Sequence, residues 1–461
     1  RRKTGFSDTG TMEKNLTTGS VFKTIVYFAL PYLLSYFMQT LYGMADLFIT
    51  GQFDGVDSIT AVSNGSQVMH MLTVIIVGLA MGATVMIGKA VGSRNHKYAS
   101  EVIGNTIVLF MILAFVMTGI LLILVKPIIG IMNVPEEAVK GTTGYLAICF
   151  IGIPFITAYN IISSIFRGLG DSKSPMYFIG TACVANIALD YLFIGYFDMG
   201  ANGAALGTTL AQTISVIIAL IAIKKRDTGI RLCKEDFKVK KNILGEILKV
   251  GFPVAIQDGC IQIAFIIITV IANRRGLDDA AAVGIVEKVI SALFIVPSSM
   301  LATVSALSAQ NIGAGKHERA AKTLKYATII TSIYGVFVVL IVQLCTSSVL
   351  RMFTSDAMVI TLGTQYLKGY IWDTIFAGIH FSFSGYFAAY GKSYIGFIHN
   401  IISIVCVRVP GSYLTSKCFK DTLLPMGLAA PAGSMLSVII CLIAYKLLKN
   451  QFASLTINTE R

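Results

Sequence analysis

From Thr24 to Leu448 the sequence is one long apolar run after another, with its charges confined to the short connections between them. A bilayer's hydrocarbon core is about 30 Å thick and takes roughly 20 mainly apolar helical residues to cross. Bounded by charges or by Gly and Pro clusters, the first-half runs lie near 24–50, 57–87, 99–125, 139–166, 174–197 and 203–223. The second half gives 245–273, 280–309, 321–346, 357–389, 394–415 and 424–447. Charged residues make up 13% of the chain and hydrophobic ones 55%, whereas soluble domains carry about 25% charged residues. The stretches between runs are too short for a soluble domain. Backbone groups in lipid must bond within the chain, which leaves helices for runs of this length. The expected fold class is an all-α polytopic membrane protein with twelve transmembrane helices. The first run is as long as a full span and lacks a small-residue cleavage site, so it is expected to stay as the first helix.

The formal net charge of +13 would suit nucleic acid only if the basic residues formed a surface of their own. They sit instead in connections: an N-terminal arm (Arg1, Arg2, Lys3, Lys14, Lys23), the 88–98 loop (Lys89, Arg94, Lys97), the 167–173 loop, a long 224–244 loop, the 310–320 loop (Lys316, Arg319) and the C-terminus. The long loop holds Lys224, Lys225, Arg226, Arg231, Lys234, Lys238, Lys240 and Lys241. Alternate connections, 51–56 and 198–202, have no Lys or Arg, and the others on that side hold at most two, several beside Glu136 and Glu137 or Asp278 and Asp279. Such alternation sets topology and places both termini in the cytoplasm of a cell-membrane protein. The partner that this distribution implies is a lipid bilayer, with no nucleic acid.

Compared with itself at an offset of about 221 residues, the chain repeats. "AVGSRNHKYAS" (90–100) faces "NIGAGKHERAA" (311–321), "FALP" ending at Pro31 faces "VGFP" ending at Pro253, and "GLGDSKS" (168–174) faces "AYGKS" (389–393). Six spans per half is an even number, so both halves enter the membrane the same way up, related by a pseudo-two-fold axis along the membrane normal. The resulting organisation is a cytoplasmic arm at 1–23, a six-helix N-lobe at 24–223, a basic cytoplasmic linker at 224–244, a six-helix C-lobe at 245–448 and a cytoplasmic tail at 449–461. A cavity between two such lobes needs one copy of the chain only, so a monomer is expected.

Charge at the centre of a span costs about 2.5–3.5 kcal/mol on insertion scales, so the few ionisable residues there are candidates for function. In the first half they are Asp46 and Asp190. Asn186 and Asp190 are four apart and stack on one helix face. Asn160 and Tyr145 lie on the fourth span, and Thr208 opens the sixth in "GANGAALGTT". These oxygens suit a small cation such as Na⁺ or a carboxyl-held proton, and equally a network that only fixes packing. In the second half, Asp258 lies one turn beyond Pro253 beside Gln257, Glu287 and Lys288 are expected near a helix end, and Asp373 beside Trp372 fits a cationic ligand or an interfacial position. Arg408 precedes Pro410 as a candidate counter-ion. Gln257, Asp258, Asp373 and Arg408 are thus candidates for a substrate cavity. Pro31, Pro154, Pro253, Pro297 and Pro410 fall inside helical runs and allow kinks.

Other chemistries lack support. "RGLGDSKS" (167–174) lacks the Walker spacing and follows a membrane helix rather than a strand. The five histidines, at 70, 96, 317, 380 and 399, are scattered without ligand spacing and read as loop or packing residues. The eight cysteines form no CxxC pair and mostly fall inside spans. No Ser/His/Asp or Cys/His constellation stands out, so the chain is not read as an enzyme, and no cofactor is expected beyond H⁺ or Na⁺ as coupling ion. The 17 Met, 27 Phe and 19 Tyr would also suit promiscuous apolar cations.

"ALPYLLSYFMQTLYGMADLFITGQF", "GKAVGSRNHKYA", "FRGLGDSKSPM", "NIALDYLFI" and "GANGAALGT" together resemble the multidrug and toxic compound extrusion (MATE) transporter family from about Lys14 to Asn450. The resemblance implies a V-shaped pair of six-helix bundles and antiport of organic cations or other amphiphiles against Na⁺ or H⁺. It also implies the DinF-like branch, with Asp46 as its first-helix Asp, Asn186 and Asp190 as its fifth-helix pair, Thr208 as its sixth-helix hydroxyl, and Tyr145 and Asn160 as supporting positions. The chain departs from the branch with a seventh-helix Glu, where Ile261 or Gln262 stands instead, which favours coupling through the first half. The expected function is multidrug efflux by alternating access, with cation or proton binding at Asp46, Asn186, Asp190 and Thr208. The alternative is a lipid-linked oligosaccharide flippase of the same superfamily, for which Arg408 is the main central cation.

Overall fold

The structure is a computed structural model that describes residues 15–225 and 232–457, with side chains beyond Lys449 and that of Lys225 left aside. Arg1, Arg2, Lys3 and Lys14 of the arm, Arg226 and Arg231 of the linker and the last four residues lie outside the described residues. The first half forms α1 (Val21–Phe53), α2 (Val56–Gly92), α3 (His96–Met132), α4 (Glu136–Ile151), α5 (Ile153–Gly168), α6 (Lys173–Asp190) and α7 (Gly200–Lys225). The second forms α8 (Lys241–Asn273), α9 (Leu277–Leu293), α10 (Ile295–Gly313), α11 (His317–Arg351), α12 (Ala357–Tyr370), α13 (Asp373–Ala389), α14 (Ser393–Ser403), α15 (Val409–Cys418) and α16 (Leu424–Ile457). One π-helical segment, Tyr191–Tyr196, extends α6, and another, Ile404–Arg408, joins α14 to α15. No strand occurs among the described residues.

These helices are the twelve spans, six in each half, several of them broken. Ten helices are long and apolar enough to cross a bilayer unaided, and the α4–α5 pair, bent by 50° at Gly152, makes an eleventh. The twelfth is α12 with α13, interrupted at Ile371 and Trp372 at the place in the second half where Gly152 interrupts the first. The five prolines singled out in the sequence divide into two groups. Pro31 and Pro253 sit inside continuous α1 and α8. Pro154, Pro297 and Pro410 instead open new helices, α5, α10 and α15, where the missing amide hydrogen has no partner to lose.

The lobes meet along α2, α8 and α10 at the end that carries the basic 88–98 and 310–320 loops. Residues 80–88 of α2 and 299–311 of α10 are buried throughout, whereas the other end of α2 is half-exposed. Helix backbones touch there through glycine. A Cβ on Gly82 would fall on the Ile247 carbonyl, one on Gly251 on that of Leu79, and one on Gly92 on that of Gln310. Small residues at such crossings let backbones approach and supply the packing that lipid cannot.

Two helices belong to both lobes. The start of α1 packs Ile25 and Phe28 against Met300, Val304, Leu324 and Phe383 of the second half, while Ile49 near its end packs with Ala61, Leu146 and Ala205 of the first. Helix α8 does the reverse: Ile247 joins Ala83, Val102 and Ile161 of the first half, and Ile268 and Ile271 join Val286 and Tyr366 of the second. Pro31 and Pro253 stand between the two halves of these helices.

Two polar clasps hold the chain outside the spans. Asn105, fully buried on α3, donates to the Asp236 and Lys238 carbonyls at 3.3 and 3.2 Å and accepts from the Lys240 amide at 2.7 Å. At the N-terminal end, Arg319 donates to the carbonyls of Gly19 and Thr18 at 2.7 and 2.8 Å, and Lys316 to that of Thr17 at 2.8 Å. The segment before α1 is thereby tied to the second half.

Candidate functional site

Helices α1, α6 and α7 bring four of the sequence-derived residues into one cluster. The spacing of Asn186 and Asp190 puts both on the inner face of α6, 1% and 0% exposed, and Asp46, 3% exposed, faces them from α1. Thr208 on α7 donates its hydroxyl to Asp46 Oδ2 at 2.9 Å. The Asn186 amide donates to Thr208 Oγ1 at 3.4 Å and Asp190 Oδ1 at 3.5 Å. The two carboxyl groups are also close enough to interact directly. The glycines of the sixth-run motif make this approach possible, since a Cβ on Gly207 would collide with Asp190 Oδ1 and one on Gly203 would lie 3.1 Å from the α6 extension.

The cluster has more acceptors than donors. Asp46 Oδ1, Asn186 Oδ1 and Asp190 Oδ2 are buried and have no hydrogen-bond partner. Other buried polar atoms of the chain also lack partners, but here three acceptors from two helices, two of them carboxyl oxygens, fall in one cluster, and a bare acceptor loses its full desolvation energy. Two carboxyl groups with neutral amide and hydroxyl oxygens form a donor set suited to a hard cation or a shared proton. No group of three or more His, Cys, Asp or Glu residues that could hold a metal ion occurs among the described residues.

The supporting positions are placed differently from one another. Tyr145 is buried on α4 against Gly65 and within electrostatic reach of Asp46. Asn160, also buried, turns its amide back to its own helix, donating to the Ile156 carbonyl at 2.8 Å. A pair that was not singled out from the sequence extends the cluster by one turn: Gln212 on α7 donates to the Tyr42 hydroxyl on α1 at 3.3 Å. The signal was present, because Tyr42 lies four before Asp46 and Gln212 four after Thr208, on the same helix faces.

In the second half the four cavity candidates do not share one space. Gln257 is buried toward Gly396 of α14, while the next residue, Asp258, is half-buried and within electrostatic reach of Tyr36 on α1. Asp373 is fully buried, although exposed Trp372 beside it had suggested an interfacial position; the α12–α13 break turns the two in different directions. Glu287 lies well inside α9 rather than at its end and takes the Thr269 hydroxyl at 3.5 Å. Arg408, 7% exposed, donates to the Tyr370 hydroxyl and stacks 4.9 Å from the Phe265 ring centre. The histidines at 380 and 399, expected as scattered packing residues, have their rings 5.4 Å apart, with His399 bonded to Ser384 at 2.9 Å.

Two six-helix lobes, the first enclosing a buried polar cluster, define a multi-pass membrane protein with the architecture of a transporter. The MatE family model matches the chain twice, over residues 31–192 and 253–414, and the chain belongs to that family. The two matches have equal length and start on Pro31 and Pro253, so the internal repeat is the family's own unit. Among relatives, the probable multidrug resistance protein YoeA of Bacillus subtilis is 26% identical over 91% of this chain and 92% of its own. The probable multidrug resistance protein NorM of Thermotoga maritima is 27% identical over 87% of each chain. A solved structure described as an outward-facing conformation of a multidrug resistance MATE family transporter superposes with a TM-score of 0.88, at 22% identity over 95% of this chain and 98% of that one.

Proposed function

We propose that the chain is a secondary active exporter of organic cations and other amphiphilic molecules, driven by H⁺ or Na⁺ bound at Asp46, Asn186, Asp190 and Thr208. The observation that carries the reading is the set of three buried, unpartnered oxygens on Asp46, Asn186 and Asp190. A proton or cation among them relieves the repulsion of two adjacent carboxylates and pairs the bare acceptors. Relatives named for multidrug resistance, matching over most of both chains, support the efflux substrate class. The N-lobe carboxyl pair supports the DinF-like branch.

The lobes touch at the end of the basic loops, and α2 is half-exposed toward the other end. With the basic-loop end cytoplasmic, as the Lys and Arg distribution implies, this is the outward-open state of a cell-membrane protein with cytoplasmic termini. Ion binding drives the cycle only through different affinity for the two states. Arg408, the cation that a flippase would offer to a pyrophosphate, is instead buried against Phe265 and Tyr370, which favours the exporter.

Asp190→Asn tests the reading. It keeps volume and shape and removes the charge, so the variant is expected in the membrane at normal level and without coupled export. Liposomes with an imposed Na⁺ or pH gradient identify the ion. Wild-type drug resistance conferred by Asp190→Asn would end the proposal.

A further inference from the structure

The second lobe contains a buried charged cluster that the coupling site does not use. Glu287 on α9 and Asp373 at the start of α13 lie within electrostatic reach of Arg408. Both oxygens of Asp373, Oε1 of Glu287 and Nε of Arg408 are buried without hydrogen-bond partners. The other titratable groups around the guanidinium are Tyr366 and Tyr370 on α12 and His380 on α13. Among the described residues, no ion pair of 4 Å or less joins Arg408 to a carboxylate. Tyr370 and the Phe265 ring hold the guanidinium instead, so it is a charge fixed beside the carboxyl groups rather than collapsed onto one of them.

The repeat gives this arrangement its meaning. Matched through "GLGDSKS" and "AYGKS", where Lys173 faces Lys392, Asn186 corresponds to Val405 and Asp190 to Val409; counted from Pro31 and Pro253, Asp46 corresponds to Ile268. The second copy thus lacks these three polar groups and carries a covalently attached cation, Arg408, on the same stretch of helix. Arginine keeps its charge at any physiological pH and cannot leave the site.

We propose that Arg408 is a built-in counter-cation that compensates one of the Glu287 and Asp373 carboxyl groups, leaves the other as its neutral acid and keeps Na⁺ out of the second lobe, confining ion coupling to the first. This rests on the reading of Asp46 and Asp190 as the coupling carboxyl groups. Without Arg408 two carboxyl groups in a low-dielectric interior lose their compensating charge, and they would draw a cation from solvent.

The test starts from purified protein silenced in the first lobe by Asp46→Asn and Asp190→Asn. Equilibrium ²²Na⁺ binding is measured, together with the infrared difference spectrum of carboxyl protonation between alkaline and acidic buffer. The silenced protein should bind no ²²Na⁺, and its carboxyl spectrum is the baseline for the variants that follow. Adding Arg408→Gln should restore about one cation per protein, as bound ²²Na⁺ or a new carboxyl signal that Asp373→Asn removes, whereas Arg408→Lys stays silent. A folded Arg408→Gln variant without either signal beyond that baseline overturns the proposal, as does a silenced protein that already binds ²²Na⁺ removed by Asp373→Asn. If Arg408→Gln does not fold, Glu287→Gln in the wild-type chain decides: unchanged cation stoichiometry supports the assignment and a fall overturns it. Wild-type and silenced proteins binding the same number of cations would refute the first-lobe reading alone, because the Arg408 comparison is internal to the silenced background.

Discussion

Gly92→Ala should open the lobe contact at the basic-loop end without unfolding either lobe. The added methyl would collide with the Gln310 carbonyl oxygen of α10, 2.8 Å from its carbon and 3.0 Å from its Cα, so helix backbones rather than a flexible side chain must yield. Overpacking of this kind costs about 1–3 kcal/mol. Alanine is the better helix former by about 0.8–1 kcal/mol, but that gain is common to every conformation and cancels in their ratio. Only the state with α2 and α10 in contact bears the clash. The equilibrium should therefore move toward lobes parted at this end by about 1–3 kcal/mol, roughly 5- to 150-fold in population. Spin labels on cysteines introduced at the exposed Lys97 and Lys325, one near each basic loop, report the shift as a longer distance population in double electron–electron resonance. Gly245→Ala is the control, since that glycine, on α8, has no neighbour within 4 Å of the new methyl. An unchanged distribution in folded Gly92→Ala, or an equal shift in Gly245→Ala, would refute the reasoning.

The two clasps give further predictions. Asn105→Ala leaves the Lys240 amide and the Asp236 and Lys238 carbonyls without their buried partner, at about 1–3 kcal/mol, and should lower the melting temperature and speed proteolysis between Lys234 and Lys241; unaltered cleavage would argue against the clasp. Arg319→Ala removes charge-assisted bonds to Gly19 and Thr18, discounted for exposure to about 1.4 kcal/mol. Hydrogen exchange in residues 15–20 should rise about tenfold with α11 unaffected.

What could be read from the sequence depended on whether an interaction lies along one helix or between several. The spans and their repeat show in run length and in matched motifs, and Asn186 with Asp190 shows as a four-residue spacing. Residues such as Glu287 and Asp373 stand singly on separate helices, so no spacing reveals that both lie within electrostatic reach of Arg408. Proline positions gave kinks, but the breaks fall earlier: α9 ends at Leu293, ahead of Pro297, because proline fits the first turn of the helix that follows. The crossing of α1 and α8 between lobes was hidden for the same reason, since both read as uniform apolar spans.

On the proposed coupling, that crossing is its mechanical side. Asp46 lies on the part of α1 that packs in the first lobe, whereas Ile25 and Phe28, before Pro31, pack in the second. A rotation of one lobe against the other therefore cannot leave α1 straight at both ends, and it must either bend near Pro31 or move Asp46 relative to Asn186 and Asp190 on α6. An ion bound through those oxygens would fix Asp46 to α6 and α7, hold the late half of α1 in place and so favour one lobe arrangement over the other, which is the differential affinity that the proposed antiport requires. Helix α8 crosses in the opposite sense but carries Ile268 where α1 carries Asp46, so on the same proposal it would follow the lobe motion without sensing the ion.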